Sequence, residues 1–343
     1  MKKLLLVLFV LPLFTLAQQT YVPDDNFEQV LINLGYDSIL DDSVLTANID
    51  TVTYLNVNHQ NISDLTGIED FTDLTTLQCY DNQLTSLNIS NNIALTTLYC
   101  GYTWIGVYGN LLTYLDVSSN TALTILECGN NQLTSLDISQ NTALNRLECG
   151  NNQLTNLDVS QNTALIRLDC YTNQLTSLNI SQNTNLTFLN SNGNFLTNLD
   201  VSNNTALTDL GCWYSNITIL DVSNNINLVN LWCNNNQLTS LDLRNGNNYL
   251  LVGINTTNNS SLFCIDVDDP VYSTSNWNDI DPWTSFGSNC ATAFGCTDVL
   301  ACNYDATALI DDGTCIFPDT SYANVTACDS YTWNDSTYIQ SGT

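Results

Sequence analysis

Three carboxylates recur at one place in successive copies of a motif: Glu127, Glu148 and Asp169, each 21 residues from the next. Paired carboxylates serve hydrolysis when one holds a proton and its neighbour does not. Arg146 and Arg167 stand two residues before the second and third of them, the only bases between Leu74 and Leu228. Cys79, Cys100, Cys128, Cys149, Cys170, Cys212 and Cys233 follow the same spacing, so disulfide or zinc chemistry must be weighed. The one histidine, His59, lies in an irregular copy, and a lone surface histidine is usually inert. No nucleophile elbow, zinc or phosphate-loop motif occurs.

Those residues are positioned by a repeat. Leu123–Leu144 reads LTILECGNNQLTSLDISQNTAL, and its core returns from Leu144 and again from Leu165. Regular copies open at Leu74, Leu95, Leu123, Leu144, Leu165, Leu186, Leu207 and Leu228. A short fixed period builds a solenoid, in which each unit covers the core of the next. Leu-x-Cys is expected to be a short strand, with leucine and cysteine inward and the residue between them on an open face. Successive thiols would then stand about 4.8 Å apart and parallel. A disulfide needs Cβ atoms about 3.8 Å apart and convergent, so the column is expected to be free buried thiols. Ser191 occupies one place in that column, which argues that no turn needs its sulfur. Asn82, Asn110, Asn131, Asn152, Asn173, Asn194 and Asn236, with Ser215 once, are expected to bond backbone where the chain leaves the strand. In the return segment, Asp116, Asp137, Asp158, Asp200, Asp221 and Asp242 point outward on the convex side, as turn-capping or calcium-binding carboxylates.

The frame Leu-x-x-Leu-x-Cys-x-x-Asn-x-Leu is the leucine-rich-repeat signature, with cysteine where leucine is usual. Over residues 20–290 the chain resembles bacterial secreted leucine-rich-repeat proteins with internalin-like features, and ISDLTGIEDFTDLTTL resembles their opening turn. The resemblance implies an α/β solenoid. Short parallel strands line its concave face, a helical cap starts it, and a disulfide-stapled cap ends it. The sequence divides into a signal peptide at 1–17, the N-terminal helical cap at 18–52 and about nine or ten repeats of 21–22 residues at 53–261. A C-terminal cap follows at 262–292, then a Cys/Asp-rich module at 293–318 and the truncated start of a further β-rich repeat at 319–343.

Met1–Ala17 has the two lysines, short apolar run and small residues of a secretory signal. Its run of about 13 apolar residues is too short to cross a bilayer. Without Lys2 and Lys3, three bases face 34 acids, a charge of about −31. Such a surface repels nucleic acid and anionic membrane. A monomeric extracellular or cell-surface protein is expected. Pro23–Leu34 has helical spacing, with Phe27, Val30, Leu31 and Leu34 on one face and Gly35 as left-handed cap.

Aromatic and arginine residues crowd the expected open face: Tyr80, Tyr99, Tyr171, Phe188, Trp213, Tyr214 and Trp232, beside Arg146 and Arg167. These types dominate interface hot spots, and aromatic faces also stack on sugars. Between Cys100 and Cys128 the spacing is 28 residues, and Tyr102, Trp104 and Tyr108 lie in the insertion. Insertions in solenoids fall on one face, often the binding face. Glu127, Glu148 and Asp169 are expected on a shallow open ribbon, where their pKa values have little reason to separate. No enzyme is expected. The function expected is recognition of an extracellular protein or polysaccharide. The alternative is a spacer, stiffened by calcium, that displays a C-terminal region.

Residues 262–292 resemble the family's C-terminal cap, which implies a Cys264–Cys290 bridge, with Trp277 and Trp283 over the last turn. Residues 295–317 resemble a short repeat of large bacterial surface proteins. There Cys296 pairs with Cys315, Cys302 with Cys328, and Asp305, Asp311 and Asp312 offer calcium ligands. Six cysteines follow the ladder, so these pairings are one choice among 15.

Overall fold

The computed structural model describes residues 17–102, 109–292, 294–306, 308, 310–311 and 313–317, and strands at 331–333 and 336–338. The expected signal peptide therefore lies outside the described residues, apart from Ala17. The chain divides after Asn289 into two compact units.

The first unit is a solenoid. Ten three-residue strands, from Tyr54–Asn56 to Gly253–Asn255, pair in parallel in one sheet. Each is centred on a leucine or isoleucine: Leu126 stands beside Leu147, and Leu147 beside Leu168. The strands span x-Leu-x, so they end one residue before the cysteine, earlier than the expected Leu-x-Cys. The ladder still reaches the cysteine, because Cys128 N–H donates to Glu148 O at 2.8 Å. Leu98 pairs with Leu126, so the 28-residue interval leaves the register undisturbed. Ile254 pairs with Leu231, which puts it in the leucine place and leaves buried Thr256 at the cysteine place.

The core is a spine of buried leucines with a column of thiols beside it. All seven ladder cysteines are free and buried. Burial pushes the Cys100 and Cys212 thiols up to about 12. Ser191 is buried in the same column and donates to Gly211 O at 3.3 Å. The expected asparagine column closes the turn. Asn152 Nδ2 donates to Cys128 O and Cys149 O at 3.1 and 3.0 Å, while its Oδ1 accepts from Leu133 N–H.

A second asparagine column was not expected. Asn92, Asn120, Asn141, Asn162, Asn183, Asn204 and Asn225 are fully buried. Asn141 Nδ2 donates to Val117 O and Asn120 O, both at 2.9 Å, and Asn162 repeats this one turn later. Its signal was on view: the Asn-Thr-Ala-Leu segments share the 21-residue period.

The helix Asp25–Asn33 covers the first coil. Asp24 caps it, accepting through Oδ1 from Asn26 and Phe27 N–H. The other oxygen of Asp24 accepts from Ser63 and Asp64 N–H, which ties helix to coil. Phe27, Val30 and Leu31 are buried, but Leu34 is exposed because it is the residue that ends the helix. Gly35 follows at φ 82°. At the far end, Trp277 is buried and donates from Nε1 to Leu251 O at 3.0 Å. Trp283 is exposed and does not share that covering role. Cys264 is disulfide-bonded.

In the second unit Cys290 is disulfide-bonded and Cys296 pairs with Cys315, Cα to Cα 4.7 Å. Cys302 is a free exposed thiol rather than a bridge partner, and Cys328 lies outside the described residues. Tyr331–Trp333 and Ser336–Tyr338 form an antiparallel pair. Among the described residues, no helix is long and apolar enough to cross a membrane.

Candidate binding face

Strand alternation fixes which side chains meet on the sheet face. The residue before each central leucine and the residue after it both point there. In the middle of the sheet this places Arg146 and Arg167 in one row, and Glu127, Glu148 and Asp169 in the next. The aromatics cluster to either side. Tyr80 stacks on Tyr102, centroids 5.0 Å apart, and His59 meets Tyr80 edge-on at 5.3 Å. Trp213 and Trp232 meet edge-on at 6.2 Å. Phe188 lies under the Arg167 guanidinium, 3.6 Å from ring centroid to Cζ. Tyr99 and Tyr171 are half-buried on the same face. Tyr214 is exposed, one residue past Trp213, at φ 50° in the turn. Trp104 and Tyr108 lie outside the described residues.

The carboxylates are not on open ground, contrary to the expectation. Glu127 and Glu148 are 1% exposed and Asp169 is 4% exposed. The reason is the pair of arginines, which fold back over them. Arg146 Nη2 lies 2.8 Å from both Glu127 Oε1 and Glu148 Oε1, and its Nε donates to Glu148 at 3.0 Å. Arg167 Nε lies 2.7 Å from Glu148 Oε1, and its Nη2 is 3.5 Å from Asp169 Oδ2. Glu127 Oε2 and Asp169 Oδ1 are buried with no hydrogen-bond partner.

Two of them are also raised well above the ordinary carboxylate range. Burial and the Glu148 charge push Glu127 up to about 7, against the pull of Arg146 and Arg167. Burial and Glu148 push Asp169 up to about 6. A solvent molecule approaching the face meets two guanidiniums, each about one-third exposed, rather than three acids.

On the convex side each aspartate caps its own turn. Asp137 Oδ1 accepts from Ser139 N–H at 2.9 Å, and Asp116, Asp158 and Asp200 do the same for the serine two residues on. These bonds hold Asp116, Asp137, Asp158 and Asp200 below the usual carboxylate range. Of the expected calcium ligands, Asp311 Oδ1 accepts from Gly313 N–H, Asp305 N–H donates to Cys296 O, and Asp312 lies outside the described residues. His59 is paired with Asp81.

No family model matches the chain. Over 72 residues, 21% of the chain, it is 42% identical to Internalin J of Listeria monocytogenes serotype 4b (strain F2365). Over that stretch the chain resembles an internalin. The chain spans only 8% of that curated relative. Among solved structures, the functional domain of InlJ from Listeria monocytogenes, described as including a cysteine ladder, is 29% identical. That match covers 79% of this chain and 70% of the other, with a TM-score of 0.44. Internalin C2 from Listeria monocytogenes str. 4b F2365 is 20% identical over 79% of this chain and 98% of its own, with a TM-score of 0.46. The solenoid carries its candidate site on the sheet face, where arginine and aromatic side chains gather over the central strands.

Proposed function

We propose that the chain is a non-enzymatic, extracellular or cell-surface binding protein, and that the sheet face docks another protein. One observation carries this reading. Arginine and aromatic side chains, the types that dominate interface energetics, are already packed against one another in fixed register on that face. Side chains held in place lose little freedom on contact, so binding is not offset by ordering. The buried acids favour binding over catalysis, since the guanidiniums lie over them.

The test is an array of extracellular proteins probed with the parent chain and with Trp213→Ala/Trp232→Ala. Loss of an array partner, with an unchanged circular-dichroism melt, is the expected result. Undiminished affinity in the double variant would remove the sheet face from the assignment. A glycan array run in parallel tests polysaccharide as the partner class.

A further inference from the structure

The middle of the sheet face conceals Glu127, Glu148 and Asp169 and presents Arg146 and Arg167, in a chain where acids outnumber bases 34 to five; half-buried Asp209 lies two strands beyond Arg167 in the same row. Arg146 and Arg167 stand on adjacent strands, in direct register. Glu148 Oε1 lies between them, within 2.8 Å of Arg146 Nη2 and 2.7 Å of Arg167 Nε. Phe188 holds the second guanidinium from beneath. Both forks are therefore oriented before any partner arrives. Their bonds to Glu127, Glu148 and Asp169 run through Nε and Nη2, so among the described residues the Nη1 edge of each fork is left for a new acceptor. Two guanidinium edges one strand apart match the two oxygens of a carboxylate.

We propose that Arg146 and Arg167 form the docking point for an acidic side chain, Asp or Glu, of the partner protein. This rests on the reading that the sheet face binds protein, and it names the partner's chemistry. A chain this acidic would repel such a partner at long range, but the Debye length near 8 Å at physiological salt confines the effect. Contact is then decided by the local balance of charge.

That balance depends on protons. The groups facing Glu127 are Arg146, Arg167, Glu148 and Asp169, with Tyr80, Tyr99 and the Cys100 and Cys128 thiols nearby. With all three acids ionised, two guanidiniums face three carboxylates. When Glu127 and Asp169 are protonated, the same guanidiniums face Glu148 alone and the site becomes net cationic. An arriving carboxylate favours that form, so docking takes up protons and must tighten as pH falls from 8 toward 6.

The experiment selects a phage-displayed peptide library against the full chain at pH 6, then measures the enriched peptides at pH 6 and pH 8. Expected are peptides carrying Asp or Glu that bind at least about threefold tighter at pH 6, from the linkage. Arg146→Lys and Arg167→Lys keep the charge but lose the fork, and each should weaken them about tenfold or more. Glu127→Gln should bind at pH 8 nearly as the parent does at pH 6, while Asp137→Asn, on the convex side, should change nothing. Peptides without acids, affinity indifferent to both lysine variants, or affinity rising with pH would each overturn the proposal. Selective binding of alginate, a polyuronate, in place of peptides would overturn the protein source. Peptides that lose affinity in Trp213→Ala/Trp232→Ala but ignore the arginines would leave the sheet-face reading standing without this docking point.

Discussion

Arg146 reaches from its own strand to Glu127 on the strand before it, Nη2 to Oε1 2.8 Å, and so covers a carboxylate that would otherwise face water. Burying an acid beside other acids costs stability when it ionises. Glu127 titrates near 7 in the folded chain against an ordinary 4.5, and Asp169 near 6 against 3.8. For a raised acid the folded state holds the proton longer than the unfolded state, so stability falls as pH rises between the two values. The parent is expected to lose stability between about pH 4.5 and 7, and Glu127→Gln to recover on the order of 2 kcal/mol at pH 8 but little at pH 4.5. Urea midpoints at the two pH values check this. An equal effect at both would contradict the burial argument.

On the acid side the sign reverses. Asp116, Asp137, Asp158 and Asp200 are held low by their serine bonds, so their contribution is lost as pH falls below about 4. Together with the raised acids, this places the stability maximum between about pH 4 and 4.5, readable from melting temperatures across a pH series.

The inner asparagines should also matter to stability. Asn141→Ala leaves Val117 O and Asn120 O without the amide that now serves them. Each carbonyl keeps a backbone partner, Asn120 N–H on Val117 O and Leu123 N–H on Asn120 O, so losing the two amide bonds should cost about 1–3 kcal/mol. Exposed Thr142→Ala, one residue on, should stay within about 0.5 kcal/mol. Chemical denaturation of both variants is the measurement, and similar losses would deny the column its role.

Thiol chemistry separates the two units. The seven ladder thiols are buried, whereas Cys302 is free and exposed. Thiolate, not thiol, is the nucleophile, so buried thiols react only after unfolding. Ellman's reagent should label Cys302 quickly in the native chain, and Cys302→Ser should remove one fast equivalent. Fast labelling of any ladder cysteine, identified by mass spectrometry, would mean the coil opens readily.

Two glycines offer a contrast. A Cβ on Gly101 would stand 1.8 Å from the Gly129 carbonyl oxygen, which is backbone and cannot move aside. A Cβ on Gly150 would meet the Tyr171 ring at 2.3 Å, and a ring can swing away. Gly101→Ala should therefore cost upwards of about 2 kcal/mol and Gly150→Ala about 1 kcal/mol or less. Gly150→Ala should still disturb Tyr171, visible as a change in tyrosine fluorescence.

The coil was legible because its signal is summed over many copies. Leu126, Leu147 and Leu168 predict one another, and the thiol column follows from the same period. The burial of Glu127 was not legible, because nothing in the spacing of Arg146 says that its side chain folds backward over the previous strand. Local alternation placed the carboxylates on the correct face, and only tertiary packing hid them. The role of Leu34 was missed for a simpler reason: helical spacing does not mark the residue at which a helix stops.

The register passes undisturbed from Leu98 to Leu126 despite seven additional residues between their coils. Every boundary elsewhere between Leu126 and Leu210 is chemically the same joint. Misaligned recombination between neighbouring copies in the gene would therefore add or remove a whole coil and leave both flanking joints intact. The length of this protein is a quantity that inheritance can change in one step, without having to relearn how to fold.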